Sequence, residues 1–267
     1  MANILDEIIA HKREEVDAAR AAEPQERLEA RAAQTPRPRN FFRAVTRKHR
    51  RINVIAEIKR ASPSAGLIRA DFDPVALARA YHEAGAAAIS CLTDERFFQG
   101  SLDFLARIKQ AVPLPVLRKD FIIDRYQLYQ ARAAGADAVL LIAECLNESQ
   151  LVDLLILATQ LQLTVLLEVH DVDSLLKVRP HIGFPHRRYC LLGINNRDLR
   201  TMTTDLAHTL RLIEMVEDPS ILVSESGIRT CDDIRRLQAA GVRAVLVGEH
   251  LMKQPDVGQA LRELLAG

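Results

Sequence analysis

Five short apolar runs in this sequence end in side chains able to move protons or hold anions. Val54–Lys59 closes on Glu57 and Lys59. Side chains two apart on an extended chain share a face, so these two project together. They make either a working carboxylate–ammonium pair in a low-dielectric mouth or a buried ion pair that satisfies only itself. Lys119 ends Val116–Lys119 with the parity of Leu117, and Arg118 points the other way. Glu168 ends Thr164–Glu168, Asn195 shares the parity of Gly193 with Arg197 just beyond it, and Glu225 ends Ile221–Glu225. Asn195-Asn196 is also ordinary turn chemistry. Gly turns, Ser226-Gly227 and Gly248-Glu249, follow the last two runs. Backbone N–H groups in such turns suit a phosphate dianion. Brought to one mouth, these residues suit acid–base work on a phosphorylated sugar, with no cofactor required. The eight histidines are scattered without His-x-x-x-His, and no Cys-x-x-Cys joins the four cysteines, so no metal-site pattern is present.

Something must carry these residues to one place. From residue 54 onward the apolar runs are Val54–Lys59, Ala87–Cys91, Val116–Lys119, Ala138–Ile142, Thr164–Glu168, Cys190–Gly193, Ile221–Glu225 and Ala244–Val247. Each is short, rich in Val, Ile and Leu, and followed by a helix-like stretch, as buried parallel strands require. Ala84-Gly85-Ala86, Ala134-Gly135-Ala136 and Ala240-Gly241-Val242 place a helix-capping Gly before the next run. Eight such units favour a closed (β/α)8 barrel, which leaves no strand edge exposed. An open doubly wound sheet is the alternative, and no Gly-x-Gly-x-x-Gly follows the first run to support a nucleotide site there. The expected division is an N-terminal helical extension over 1–48 packing on a barrel over 49–267. In the leader, Ile4, Leu5, Ile8, Ile9 and Val16 recur at helical spacing. A second Glu/Arg/Ala-rich helical piece follows, and Thr35-Pro36-Arg37-Pro38-Arg39 then breaks the pattern before Phe41-Phe42.

The 267 residues carry 36 basic and 35 acidic side chains, a balance that offers no electrostatic footprint for nucleic acid or anionic membrane. Dispersed cysteines suit a reducing compartment. Asp6 and Glu7 interrupt the place where a signal peptide needs an apolar core. A soluble cytoplasmic protein is expected.

The segments Glu57–Ser64, Leu117–Phe121, Leu167–His170, Gly193–Leu199 and Ser224–Ile228 resemble, in order, signature segments of the indole-3-glycerol phosphate synthases, and the leader resembles that family's N-terminal extension. The resemblance runs from about residue 54 to 253. It implies a (β/α)8 barrel and a lyase of tryptophan biosynthesis. That enzyme converts 1-(2-carboxyphenylamino)-1-deoxyribulose 5-phosphate to indole-3-glycerol phosphate with loss of carbon dioxide and water. It further implies Lys119 as general acid at the sugar carbonyl, Glu168 as base for the dehydration, and Lys59 as partner of the substrate carboxylate. Glu57 would hold the ammonium groups, and Asn195 and Arg197 would position the substrate. Ser62, Phe121 and Glu225 would line the substrate site. Lys59, Ser226, Gly227, Gly248 and the Glu249 amide would take the phosphate.

Glu249 stands where the family often has a small hydroxyl residue, so only its backbone N–H is expected to face the ligand. Glu144 is expected in a surface ion pair, and His170 carries no assigned role. Neighbouring positive charge and partial desolvation are expected to lower the lysines' pKa and ease proton donation. The rival reading is a sugar-phosphate isomerase of the tryptophan or histidine pathway on the same barrel. A lysine at the third run's tip and the Glu57/Lys59 pair count against it. Monomer or weak homodimer is the expected state of association.

Overall fold

The computed structural model describes residues 4–48, 52–198, 201 and 203–266. Leu199, the last residue of one family-like segment, and residue 49 at the expected boundary lie outside that set. Eight strands carry the architecture. They are β1 (Asn53–Ile58), β2 (Ala88–Leu92), β3 (Val116–Lys119) and β4 (Ala138–Ile142), then β5 (Thr164–Val169), β6 (Cys190–Asn195), β7 (Leu222–Glu225) and β8 (Ala244–Val247). Each pairs in parallel with its sequence neighbours, and β1 pairs with both β8 and β2, so the sheet closes. Ala56 sits opposite Val247 on one side and Ile89 on the other. Closure removes the open-sheet alternative, and no strand of the barrel keeps a free edge.

Every strand position is at least largely buried, apart from the tip residue Lys119, yet two environments alternate along each strand. Ile55, Leu117, Leu166, Leu191, Val223 and Leu246 form the inner cluster, while Val54, Ala56, Ile89, Val165 and Val245 join the layer under the helices. The parity expected at Glu57, Lys119, Glu168 and Asn195 follows, because each stands two residues beyond, or otherwise in phase with, an inner-cluster residue. Arg118, of opposite parity, donates outward to the Gln127 carbonyl and to Asp120. Three runs end later than expected, β2 at Leu92, β5 at Val169 and β6 at Asn195. β6 continues to Asn195 instead of stopping at Gly193, because Asn195 still pairs with Glu225 in the ladder.

The connecting helices start on strong local signals. In α4 (Pro74–Glu83) the Asp73 side chain accepts from the Val75 and Ala76 N–H groups, with Pro at the first position. Capping boxes open α7 (Arg125–Ala133) and α8 (Glu148–Gln160). Between α4 and α7 in chain order lie α5 (Glu95–Phe98) and α6 (Asp103–Ala111). Then come α9 (Val172–Val178), α10 (Ala207–Leu212), α11 (Cys231–Ala239), α12 (Glu249–Met252) and α13 (Val257–Leu265). Gly85, Gly135 and Gly241 follow helices with φ of 93°, 87° and 97°, as the Ala-Gly repeat predicts.

The leader forms α1 (Ile4–Ala22), α2 (Gln25–Gln34) and α3 (Phe41–Val45). Phe41 and Val45 belong to the inner barrel cluster, so α3 plugs the barrel where the strands begin. Leu5, Ile8 and Val16 of α1 are buried as its apolar spacing predicts. Tyr126 of α7 fixes the end of α1 by donating to the Ala19 and Glu23 carbonyls. Among the described residues no helix is long and apolar enough to cross a membrane.

Candidate active site

A cavity of about 420 Å³ opens where the strands end, and every residue singled out from the sequence as catalytic or binding lines it. Lys119 is its centre. Its ammonium stands 2.5 Å from a Glu168 oxygen and 3.1 Å from a Glu225 oxygen. Asn195 steadies the other Glu168 oxygen by donating Nδ2–H over 3.1 Å, and its own side-chain oxygen accepts the Arg197 N–H. Lys59 lies 2.6 Å from Glu57 Oε1. The Glu57/Lys59 pair is formed, and both residues line the cavity.

Two glycines make this crowding sterically feasible. A Cβ on Gly193 would lie 2.3 Å from Glu225 Oε1, and one on Gly248 2.3 Å from Glu57 Oε1. Gly248 thus has a packing reason beside any role toward phosphate. Ser226 and Gly227 both take positive φ, 67° and 77°. For Ser226, which has a Cβ, this conformation costs on the order of 1–2 kcal/mol. Asn196 holds the turn by donating to the Ser226 carbonyl.

The carboxylates differ in ionisation although they share one lysine. Burial pushes Glu225 up, reinforced by the Glu168 charge and only partly offset by Lys119, to about 8. Burial acts the same way on Glu168, but Lys119 and His170 outweigh it and hold its carboxyl well below the usual range. The expectation that the site lowers the lysine pKa is corrected for Lys119. Burial alone would lower it, yet Glu168, Glu225 and Glu57 together hold it above the ordinary lysine value. Three carboxylates on one ammonium exceed its desolvation cost.

Arg197 reaches across the rim. One guanidinium nitrogen lies 2.5 Å from Ser64 Oγ and another 2.6 Å from Glu249 Oε2. Glu249 Oε1 is 2.6 Å from Lys253. Burial would raise the Glu249 pKa, but Lys253 and Arg197 bring it down to about 2. Ser62 is buried against Ser64. Phe121 stacks at a tilt with Phe98, ring centres 6.0 Å apart, and with Leu5, Ile8, Leu140 and Ile142 forms an apolar wall.

Glu144 is exposed and in an ion pair, as expected, and its partner is the largely buried His170. Glu144 lies 3.2 Å from His170 Nδ1, and His170 Nε2 is 3.1 Å from Glu168. Neither Glu144 nor His170 lines the cavity. Sequence reasoning missed Lys12. Its place among Glu and Arg suggests a solvated face, but it is fully buried and pairs with Asp94 and Asp120 at 2.9 Å each. The missed signal is its spacing: Lys12 follows Leu5 and Ile8 by seven and four residues, on the same helical stripe. Lys253, Arg229 and Thr204 line the cavity without having been singled out.

The chain matches the family model described as indole-3-glycerol phosphate synthase over residues 5–264. Among its relatives, an indole-3-glycerol phosphate synthase of Rhodopirellula baltica is 50% identical over 98% of this chain and 99% of the relative. One of Rhodospirillum rubrum is 48% identical over 99% and 100%. Among solved structures, a 3-hexulose-6-phosphate synthase superimposes with a TM-score of 0.64 at 18% identity, covering 80% of this chain and 99% of that one. At that identity the likeness concerns the barrel alone. The chain belongs to the indole-3-glycerol phosphate synthase family.

Proposed function

We propose that this chain closes the indole ring, converting 1-(2-carboxyphenylamino)-1-deoxyribulose 5-phosphate to indole-3-glycerol phosphate, carbon dioxide and water. The observation that carries the reading is Lys119 set between Glu168 and Glu225 in a cavity lined both by apolar side chains and by Lys59, Arg197, Arg229 and Lys253. The substrate has matching parts: an aromatic ring, a benzoate, a ketose and a phosphate.

In the first half, the ring carbon bearing the carboxylate attacks the sugar carbonyl, and Lys119 protonates the oxygen as it becomes an alkoxide. That alkoxide is more basic than any carboxylate around Lys119, so the proton moves to it even from a lysine whose pKa is raised. Loss of carbon dioxide returns the bonding pair to the ring and restores aromaticity. In the second half, the new hydroxyl leaves as water, assisted by an ammonium, and the ring nitrogen supplies the electron pair. Glu168 accepts the proton given up as the indole forms. Groups placed this way contribute about 10²–10⁴-fold each.

Lys59, held by Glu57, pairs with the benzoate during the first half and contributes to phosphate binding. Asn195 and Arg197 orient the substrate, with Ser62, Phe121 and Glu225 completing its site. Ser226, Gly227, Gly248 and the Glu249 backbone N–H take the phosphate. The Glu249 carboxylate stays with Arg197 and Lys253, which favours that division between backbone and side chain. The near balance of charge supports a cytoplasmic enzyme without nucleic-acid or membrane partners, working as a monomer or weak homodimer. The leader and barrel act as one catalytic unit.

The experiment is to mix the protein with the substrate in excess chelator and follow indole fluorescence. A signal that survives the chelator and is lost in Lys119→Ala establishes both the reaction and its metal-free acid–base character. Silence from folded wild-type protein overturns the reading.

A further inference from the structure

Glu168 faces charge on two sides. Toward the cavity its Oε2 meets Lys119, and behind it Oε1 lies 3.1 Å from His170 Nε2. His170 follows the end of β5, is largely buried, and does not line the cavity. Its other ring nitrogen is 3.2 Å from Glu144 Oε2, while the His170 backbone N–H donates to Glu144 Oε1 over 3.0 Å. One carboxylate therefore grips both the ring and the backbone of this residue. Both ring nitrogens thus lie within ion-pair distance of a carboxylate.

The grip is itself anchored. Glu144 sits on a single 3-10 turn, Ala143–Cys145, after β4. Lys177 of α9 donates to the Ala143 carbonyl over 2.7 Å and also to the Leu146 carbonyl, bracketing that turn. Ser174 Oγ, from the same helix, accepts the His170 N–H as well.

We propose that His170, clamped by Glu144, is a positioning residue that fixes the Glu168 carboxylate from behind and keeps it ionised, so that Glu144 acts on the reaction from outside the cavity. The inference rests on Glu168 being the base. The titratable and charged groups around it are Lys119, Glu225 and Glu57 on the cavity side, with Glu144 and His208 behind. The Cys145 thiol nearby is pushed up by burial and stays neutral. Burial alone would discharge His170, but the two glutamates outweigh it and raise its pKa to about 10. His208 is pushed down, chiefly by burial, so it adds no second cation at neutral pH. His170 is thus an imidazolium through the working pH range, and its charge lowers the Glu168 pKa.

The signs follow. A base must be deprotonated, so activity falls as pH drops through the Glu168 pKa. Removing the His170 charge raises that pKa, and the acid limb of kcat moves up by about 1 to 3 pH units. Losing Glu144 lowers the His170 pKa instead, so the imidazole of a Glu144 variant loses its charge at a lower pH than in the wild type.

The test measures kcat and KM against pH for His170→Ala, His170→Gln, Glu144→Gln and Glu168→Gln, with Tm for each. His170→Ala is expected to lose tenfold or more in kcat with KM within twofold, and to show the acid limb displaced upward. His170→Gln, which keeps a donor but no charge, recovers part of kcat without restoring the limb. In Glu144→Gln the imidazole, followed by NMR, titrates below its wild-type value, and this carries the test should His170→Ala not fold. A His170→Ala enzyme with wild-type kcat and an unmoved limb overturns the proposal, as does an unmoved imidazole pKa in Glu144→Gln. If Glu168→Gln is inactive in that case, the base assignment stands and only the His170 proposal fails. An active Glu168→Gln overturns both.

Discussion

Two buried lysines lie at either end of one short stretch of structure and do different things. Lys12 of α1 is sealed from solvent among Glu15, Asp94 and Asp120. Lys119, which precedes Asp120 in the chain, is held by Glu168 and Glu225. In both cases burial would lower the pKa and carboxylates overcome it, raising the value above that of ordinary lysine. The difference is in the company. Asp120 is also bound by Arg118, Thr93 and the Phe121 N–H, and is driven well below the carboxylate range. Glu225 has no aligned hydrogen bond on either oxygen and is pushed up to about 8. Burial and ion pairing therefore do not separate a structural lysine from a reactive one. What separates them is whether the lysine itself opens on the cavity: Lys119 lines it and Lys12 does not, although each network holds a carboxylate oxygen without an aligned hydrogen bond, on Glu225 and Asp94.

The largest expected effect is on Lys119. Lys119→Ala should lower kcat by about 10²–10⁴-fold while circular dichroism and Tm stay near wild type, because the cavity accommodates the truncation. Retention of more than about a tenth of the activity would remove it from the acid's role. Lys12→Met should reverse that pattern. Breaking a buried pair and leaving Asp94 and Asp120 uncompensated costs about 3–5 kcal/mol, read as a Tm drop on the order of 10 °C. Once folded, the variant should keep most of its kcat. A Lys12 variant that is fully stable but inactive would erase the distinction.

Next in size is the apolar end of α1. Leu5→Ala with Ile8→Ala removes surface that lines the cavity. KM should rise several-fold with kcat little changed, since roughly 1 kcal/mol of uniform binding is lost. Deleting the leader through residue 48 cannot test this point, because Phe41 and Val45 plug the barrel.

The smallest effect sharpens the contrast between the two carboxylate sets. Glu225 has a raised folded value, so the folded state holds a proton that the unfolded state has released between about 4.5 and 8. Stability therefore falls as pH rises through that window. Glu225→Gln should gain on the order of 1 kcal/mol at pH 8, roughly 2–4 °C in Tm, and lose the advantage near pH 4. Asp120 has the opposite sign. Its folded value is depressed, so its contribution is present above about pH 4 and is lost only as pH falls toward the folded value.

The barrel was legible because each strand is a short apolar run of fixed parity, and period two carries Glu57, Lys119, Glu168 and Asn195 to the inner face with few further assumptions. Strand ends shifted by a residue or two, as at Asn195, where pairing with the next strand decided the limit. The partners of Lys12 and Glu144 were not legible. Lys12 sits in a polar stretch and Glu144 in an apolar one, and the partners of both lie far away in sequence: Asp94 and Asp120 for Lys12, His170 for Glu144.

The sequence by itself determined the eight-unit repeat, the faces of the strands, the residue types at their tips and the family. These are properties of short segments, fixed by periodicity, turn chemistry and local motif. Only the tertiary structure decided which charges meet: that Glu225 rather than Glu57 shares Lys119 with Glu168 at short range, that Arg197 is held by Glu249, and that His170 backs the base. Ionisation inside a barrel depends on distances of a few ångströms between residues brought together by closure. Coulomb energies in a low-dielectric interior change steeply over that range, and no local pattern encodes them.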